Sequence, residues 1–243
     1  MNQGIQVSQV AENLSAVRER IARAALRVGR DSKSVKLVAV SKVQPLEALR
    51  AALAAGQRAL GENYAQELRD KAEALSAHDP RPEWHFLGAL QTNKVKQVVG
   101  RAELVHTCDR PALAQELSKR AVAQGIVQRV LVEVNVGREP QKAGVLPEAA
   151  GAFLRALAQL PGLSCEGLMC IPPAEGDPRS HFRALRTLRD QLLRERVHPG
   201  PLAELSMGMS SDYEVAVEEG ATLVRVGTAI FGARPARPGA PAP

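Results

Sequence analysis

The sequence predicts a single α/β domain, a closed (β/α)8 barrel of the TIM type with one extra helix at its N-terminus. Two observations carry that prediction. Eight short apolar, β-branched runs recur along the chain with amphipathic stretches between them, the rhythm of parallel strands and crossover helices. The length of 243 residues is close to the roughly 250 typical of such a barrel. A doubly wound open sheet is the alternative, but no Gly-rich dinucleotide turn follows the first strand.

The elements follow in order. Val7, Val10, Leu14, Val17, Ile21, Ala24 and Val28 keep a three–four spacing, which predicts one long amphipathic helix ending near Gly29. Strands are expected at 37–41, 58–61, 84–88, 103–107, 129–136, 163–170, 204–207 and 223–227. Helical stretches lie between them, among them 45–55, 64–75, 111–124, 147–160, 181–196 and 212–219. Pro45 opens the first of these and Gly56 closes it, the asymmetry expected of helix ends. No internal repeat or linker divides the chain, so residues 1–233 are assigned to the barrel. The final segment 234–243, RPARPGAPAP, reads as a disordered tail.

Composition excludes several classes of function. Hydrophobic residues make up 45% and charged residues 24%, the balance of a folded globular protein. No run of about 18 apolar residues offers a membrane span. Glu12, Arg18, Glu19 and Arg20 interrupt what would be a secretory signal, and Cys108, Cys165 and Cys170 form no C-x-x-C pair. A cytoplasmic location is expected. The net charge of +6 raises the question of nucleic acid. Binders of single strands interleave aromatic platforms with basic residues, whereas the aromatics here (four Phe, two Tyr, one Trp) are scattered. The charge suits a small anion better. The five histidines show no zinc spacing, and Asp212 stands where a G-x-S-x-G elbow would need its closing glycine. Neither a metal nor a nucleic-acid or membrane partner is expected.

Chemistry in a barrel of this type sits at the C-terminal ends of the strands. Lys42 follows the first strand directly, in Val38-Ala39-Val40-Ser41-Lys42. Partial desolvation there would favour the neutral amine that attacks carbonyls. Taken alone, such a lysine is more readily the start of a solvated loop. The last third of the chain changes the weighing. Ser206-Met207-Gly208-Met209-Ser210-Ser211-Asp212 ends the seventh strand with hydroxyls, a glycine and a helix start, a natural anion cradle and equally an ordinary N-cap. Arg225-Val226-Gly227-Thr228 ends the eighth with a second Gly-Thr turn. Barrels frequently build a phosphate site from these two loops, and closure sets strand eight beside strand one and Lys42. An amine beside a phosphate cup describes a site for an aldehyde that carries a phosphate. Pyridoxal 5′-phosphate is one such molecule.

The segments LVAVSK, GENYAQE, WHFLGALQTNK, GLMCIPP, LSMGMSSD and VRVGTAIFG, in this order between Leu37 and Gly232, resemble the family of pyridoxal phosphate homeostasis proteins. These are single-domain relatives of the alanine racemase N-terminal barrel. The resemblance implies pyridoxal 5′-phosphate as cofactor, held as an internal aldimine by Lys42. Ser210, Gly227 and Thr228 would bind its phosphate, and Arg225 would face the pyridine nitrogen. Asn63 and His85 lie in family motifs. Asn63 either borders the ring or caps a helix, and His85 either borders the ring or is a satisfied barrel histidine. Met169 and Asn135 end strands and are further candidates for the pocket, with core packing the competing role for Met169. Cys170 stands where the family more usually carries threonine or alanine.

A pyridine nitrogen that meets a guanidinium, which can only donate, stays unprotonated and the ring is a weak electron sink. The racemases add a β-rich domain with a tyrosine base, and only twelve residues follow Phe231 here. Holding of the cofactor, in buffering or delivery, is therefore expected over turnover, and no catalytic group is assigned. A low-activity amino-acid racemase is the alternative, and a barrel for another phosphorylated aldehyde or sugar is a third. A monomer with transient contacts to apo pyridoxal phosphate enzymes is the expected state.

Overall fold

The computed structural model describes residues 7–233, so the expected disordered tail at 234–243 lies outside the described residues. The chain opens with α1 (Val7–Arg27) and then alternates strand and helix. The strands are β1 (Lys36–Val40), β2 (Ala59–Glu62), β3 (Glu83–Phe86), β4 (Leu104–Cys108), β5 (Gln128–Glu133), β6 (Leu163–Met169), β7 (Glu204–Ser206) and β8 (Leu223–Val226). The helices are α2 (Leu46–Ala54), α3 (Ala65–Ala74), α4 (Pro111–Ala123), α5 (Ala150–Leu157), α6 (Pro178–Arg194), α7 (Tyr213–Glu218) and α8 (Thr228–Phe231). A 3-10 helix, Thr92–Gln97, makes the crossover from β3 to β4.

All eight strands pair in parallel and in sequence order, and β8 returns to β1 with Val38 opposite Arg225, which closes the barrel. Strands buried on both faces explain why the runs read as continuous apolar stretches. Alternate side chains separate into two cores. Val38, Leu87, Leu104, Leu131 and Met169 fill the barrel interior. Their neighbours, such as Leu37, Phe86, Val105 and Val130, face outward and pack under the helices. In α1 Val10, Leu14, Val17, Ile21 and Ala24 of the expected stripe are all at 4% exposure or less, whereas Val28 lies past the helix end and is exposed. Asn13 of α1 donates to the Ile230 carbonyl (2.8 Å), tying this helix to α8 at the end of the barrel sequence.

Among the boundaries that differ from the expected ones, two do so for clear local reasons. β5 stops at Glu133 rather than 136, because Asn135 turns the chain. Its amide donates to the Glu139 carbonyl (2.8 Å) and its oxygen accepts from the Glu139 N–H (3.1 Å). Helix α6 starts at Pro178, since Asp177 caps it by accepting the Arg179 N–H (2.9 Å).

Candidate functional site

The C-terminal ends of β1, β2, β3, β7 and β8 surround a cavity of about 300 Å³ that holds Lys42, Asn63, Ser210, Arg225, Gly227 and Thr228. This places six of the seven expected site residues around one space. The cavity is not the largest on the molecule. A depression of about 430 Å³ lies at the opposite end of the barrel, and one of about 500 Å³ lies between the β2–α3 and β3–β4 connections. Neither brings an amine to face an anion cradle, so chemistry rather than volume singles out the smaller one.

Its two phosphate-type loops meet directly. The Gly227 N–H donates to Ser210 Oγ (3.2 Å), so the β7–α7 and β8–α8 connections form a single wall. Gly208 gives the first of these its path. Its φ is +91°, and a Cβ there would come within 2.9 Å of the Tyr213 backbone. Asp212 folds back to accept the Met209 N–H (2.6 Å). Gly88 sits against the Asn63 backbone oxygen with no room for a side chain, and that close approach fixes Asn63 at the rim. Asn63 precedes α3 by one residue more than a cap does, since Tyr64 occupies the N-cap position.

Arg225 forms the floor. The guanidinium is 5% exposed and donates through Nη1 to Ser206 Oγ (2.6 Å) and through Nη2 to the Cys170 carbonyl (2.9 Å). Two of its five N–H donors are fixed in this way and its edge is left to the cavity. Burial lowers its pKa, and the nearby Cys170, Glu133 and Asp212 work against that. Cys170 therefore contributes its backbone oxygen, whatever side chain stands there.

His85 requires a correction. It does not border the cavity but lies below it inside the barrel, because the inward positions of β3 and its extension are 85 and 87, and Leu87 is the upper one that reaches the cavity wall. His85 Nδ1 is 2.8 Å from His106 Nε2, and His106 Nδ1 is 2.8 Å from Ser206 Oγ. Arg225 can only donate, so the assignment that gives the Ser206 hydrogen an acceptor runs Arg225 to Ser206 to His106 to His85. Burial pushes His85 down to about 3 and His106 well below its ordinary value, so both are neutral. Met169 belongs to the barrel interior, and Asn135 shapes its own loop.

The sequence reading missed a second polar cluster, behind Lys42. Lys71 of α3 donates to the Ser41 carbonyl (2.7 Å) and to Glu62 Oε1 (2.8 Å). Ser41 Oγ also donates to Glu62 Oε1 (2.7 Å). Glu67 accepts the Val43 N–H with both carboxylate oxygens (3.0 and 3.2 Å). Burial pushes Glu62 up to about 7, against the pull of Lys71. With Oε1 accepting two hydrogen bonds, the buried Oε2 is the atom left to carry a proton. Burial alone would raise Glu67 too, but hydrogen bonds from Glu62, Val43 and Lys71 bring it below the ordinary carboxylate value. Only the i, i+4 spacing of Glu67 and Lys71 was visible in advance, and it reads as a surface pair.

Residues 12–235 match the family model for the alanine racemase N-terminal domain. A protein of Aquifex aeolicus described as a pyridoxal phosphate homeostasis protein is 49% identical over 226 residues, covering 92% of this chain and 97% of that one. The chain belongs to this family. A Pseudomonas aeruginosa protein of the same description is 44% identical over 94% of this chain and 97% of its own length. The solved structure of PipY from Synechococcus elongatus with PLP bound superposes with a TM-score of 0.81 at 38% identity, covering 92% of this chain and all of that one. The homeostasis family member described here thus has the barrel expected from its sequence. Among its described residues no helix is long and apolar enough to cross a membrane.

Proposed function

We propose that this protein binds pyridoxal 5′-phosphate in the Lys42 cavity, covalently through the lysine, and serves cytoplasmic homeostasis of the cofactor by buffering or delivering it. The observation that carries this reading is the juxtaposition of the Lys42 side chain, the Ser210–Gly227 wall and the Arg225 floor around one cavity. The donor set fits the group: one amine for an aldehyde, hydroxyl and backbone N–H donors for a phosphate, and a fixed cation between them.

Bound pyridoxal phosphate supplies an aldehyde that condenses reversibly with an amine, and a ring that withdraws electrons to the degree that its nitrogen is protonated. Lys42 provides the amine. Ser210 Oγ, positioned by the Gly227 N–H, and the first-turn N–H of Thr228, which has no carbonyl within the turn to reach, would hold the phosphate. Arg225, locked by Ser206 and Cys170, presents hydrogen-bond donors and cannot yield a proton at neutral pH, so it would leave a ring nitrogen facing it unprotonated. That favours holding the cofactor over transforming substrates on it. Neither tyrosine lines the cavity: Tyr64 borders the neighbouring depression and Tyr213, the first residue of α7, is buried. A monomer that meets apo-enzymes transiently suits this role.

The test is a visible titration of the purified protein with pyridoxal 5′-phosphate, followed by mixing the loaded protein with an apo-enzyme. A yellow band that Lys42→Ala abolishes is expected, together with reactivation of the apo-enzyme. A colourless wild type overturns the binding reading. A loaded protein that reactivates the apo-enzyme no faster than free cofactor overturns delivery. Deuterium entering the α-carbon of an added amino acid from solvent would point instead to a racemase.

A further inference from the structure

The backbone just after Lys42 is held in an unfavourable shape. Val43 has a φ of +63°. A β-branched residue in the left-handed region is a genuine outlier, and such a conformation persists only where its surroundings over-determine it. The surroundings here are specific. The N–H of Val43, just after Lys42, is gripped by both oxygens of Glu67. The carbonyl of Ser41, just before it, accepts from Lys71, whose ammonium also reaches Glu67 (3.4 Å) and Glu62. Backbone bonds complete the turn: Ser41 N–H to the Gly61 carbonyl (2.8 Å) and Gln44 N–H to the Ser41 carbonyl (3.0 Å). None of Glu62, Glu67 and Lys71 lines the cavity.

We propose that Lys71 and Glu67 are positioning residues that clamp the Ser41–Val43 turn from both sides and thereby aim the Lys42 amine into the cofactor cavity. The inference rests on the pyridoxal phosphate reading of that cavity. Burying an ammonium to 8% exposure against a fully buried carboxylate is a poor route to stability, since well-packed apolar side chains do as well or better. Such a cluster is better explained by the geometry it imposes. Here that geometry is a backbone gripped on both sides of a single lysine, with a left-handed valine directly after it.

The experiment uses the full chain with pyridoxal 5′-phosphate as probe. Lys71→Met and Glu67→Ala are compared with wild type for cofactor affinity by visible titration, for fold by far-UV circular dichroism, and for hydrogen exchange at the Val43 amide without cofactor. Each variant is expected to keep its fold, to bind about tenfold more weakly and to expose the Val43 amide to faster exchange, tenfold being about 1.4 kcal/mol. Adding Val43→Gly to Lys71→Met relieves the strain that the clamp sustains, because glycine adopts positive φ freely. The double variant is expected to return to within about threefold of wild type, a rescue that a purely stabilising ion pair would not give. Folded single variants that bind like wild type overturn the inference alone, as does a loss that Val43→Gly fails to reduce. A wild type that gives no band overturns the cofactor reading and this inference with it. Should Lys71→Met fail to fold, Glu67→Ala alone and with Val43→Gly decides by the same criteria.

Discussion

At the C-terminal end of the barrel Lys71, Glu62 and Arg225 are buried, each tied to named partners, and the chain accepts a left-handed valine between them. At the N-terminal end the ion pairs between strands stay in water. Lys36 pairs with Glu83 (2.8 Å) and Arg129 with Glu103 (2.9 Å), and every one of these side chains is at least a third exposed. That end has a hollow of about 430 Å³ and the C-terminal end another of about 500 Å³, both larger than the 300 Å³ Lys42 cavity. The contrast teaches that an amine facing an anion cradle, with buried charges tied behind it, locates the site in this barrel, and cavity size does not.

Substitutions at the two ends sharpen or break that contrast, and the largest effect is expected at Lys42. Lys42→Ala should remove covalent attachment altogether while the melting curve stays near that of wild type; residual borohydride-stable cofactor would place the covalent site elsewhere.

Next comes the pH response of Glu62. Its native pKa of about 7 lies above the ordinary 4.5, so between those values the folded protein keeps a proton that the unfolded chain has lost. The stability this group contributes is fully present below about pH 4.5 and falls as pH rises through about 7. His85 and His106 work in the opposite sense, being neutral when folded and protonated when unfolded below their ordinary value of 6.5. Comparison with Glu62→Gln separates the two. Urea unfolding should show wild-type stability declining relative to the variant by at most about 3 kcal/mol across that window. A difference that does not change with pH would contradict the protonated Glu62.

Ser210→Ala should be smaller again. It removes a hydroxyl offered to a charged group, worth about 1.5–3 kcal/mol, or roughly ten- to a hundredfold in cofactor affinity measured by titration. Smallest of all is Glu83→Gln at the other end. An exposed pair contributes under about 1 kcal/mol, so the urea midpoint should scarcely move and cofactor affinity should not change. A clear loss of affinity there would break the contrast between the ends.

Much of this was legible in the sequence. Parallel strands buried on both faces show as continuous apolar runs, so the strand count and order could be read directly. Once the barrel was inferred, Lys42, Ser210, Gly227 and Thr228 could be placed because chemistry follows strand ends. Depth within the barrel was not legible. In Trp84-His85-Phe86-Leu87 the apolar character is continuous, so nothing marks His85 as one layer too low to reach the cavity. The clamp was hidden for a different reason. Glu62 and Lys71 are nine residues apart, on a strand and a helix, and both converge on a turn twenty or more residues earlier. Only the fold makes that contact, and Val43's positive φ leaves no trace in a valine.

The most direct test of the central claim is peptide mass mapping after borohydride reduction of the cofactor-loaded protein. The account predicts that the reduced pyridoxal phosphate mass appears on the peptide containing Lys42 and on no other. Its appearance on Lys71, Lys94 or Lys142 instead, or on no peptide at all, would contradict it.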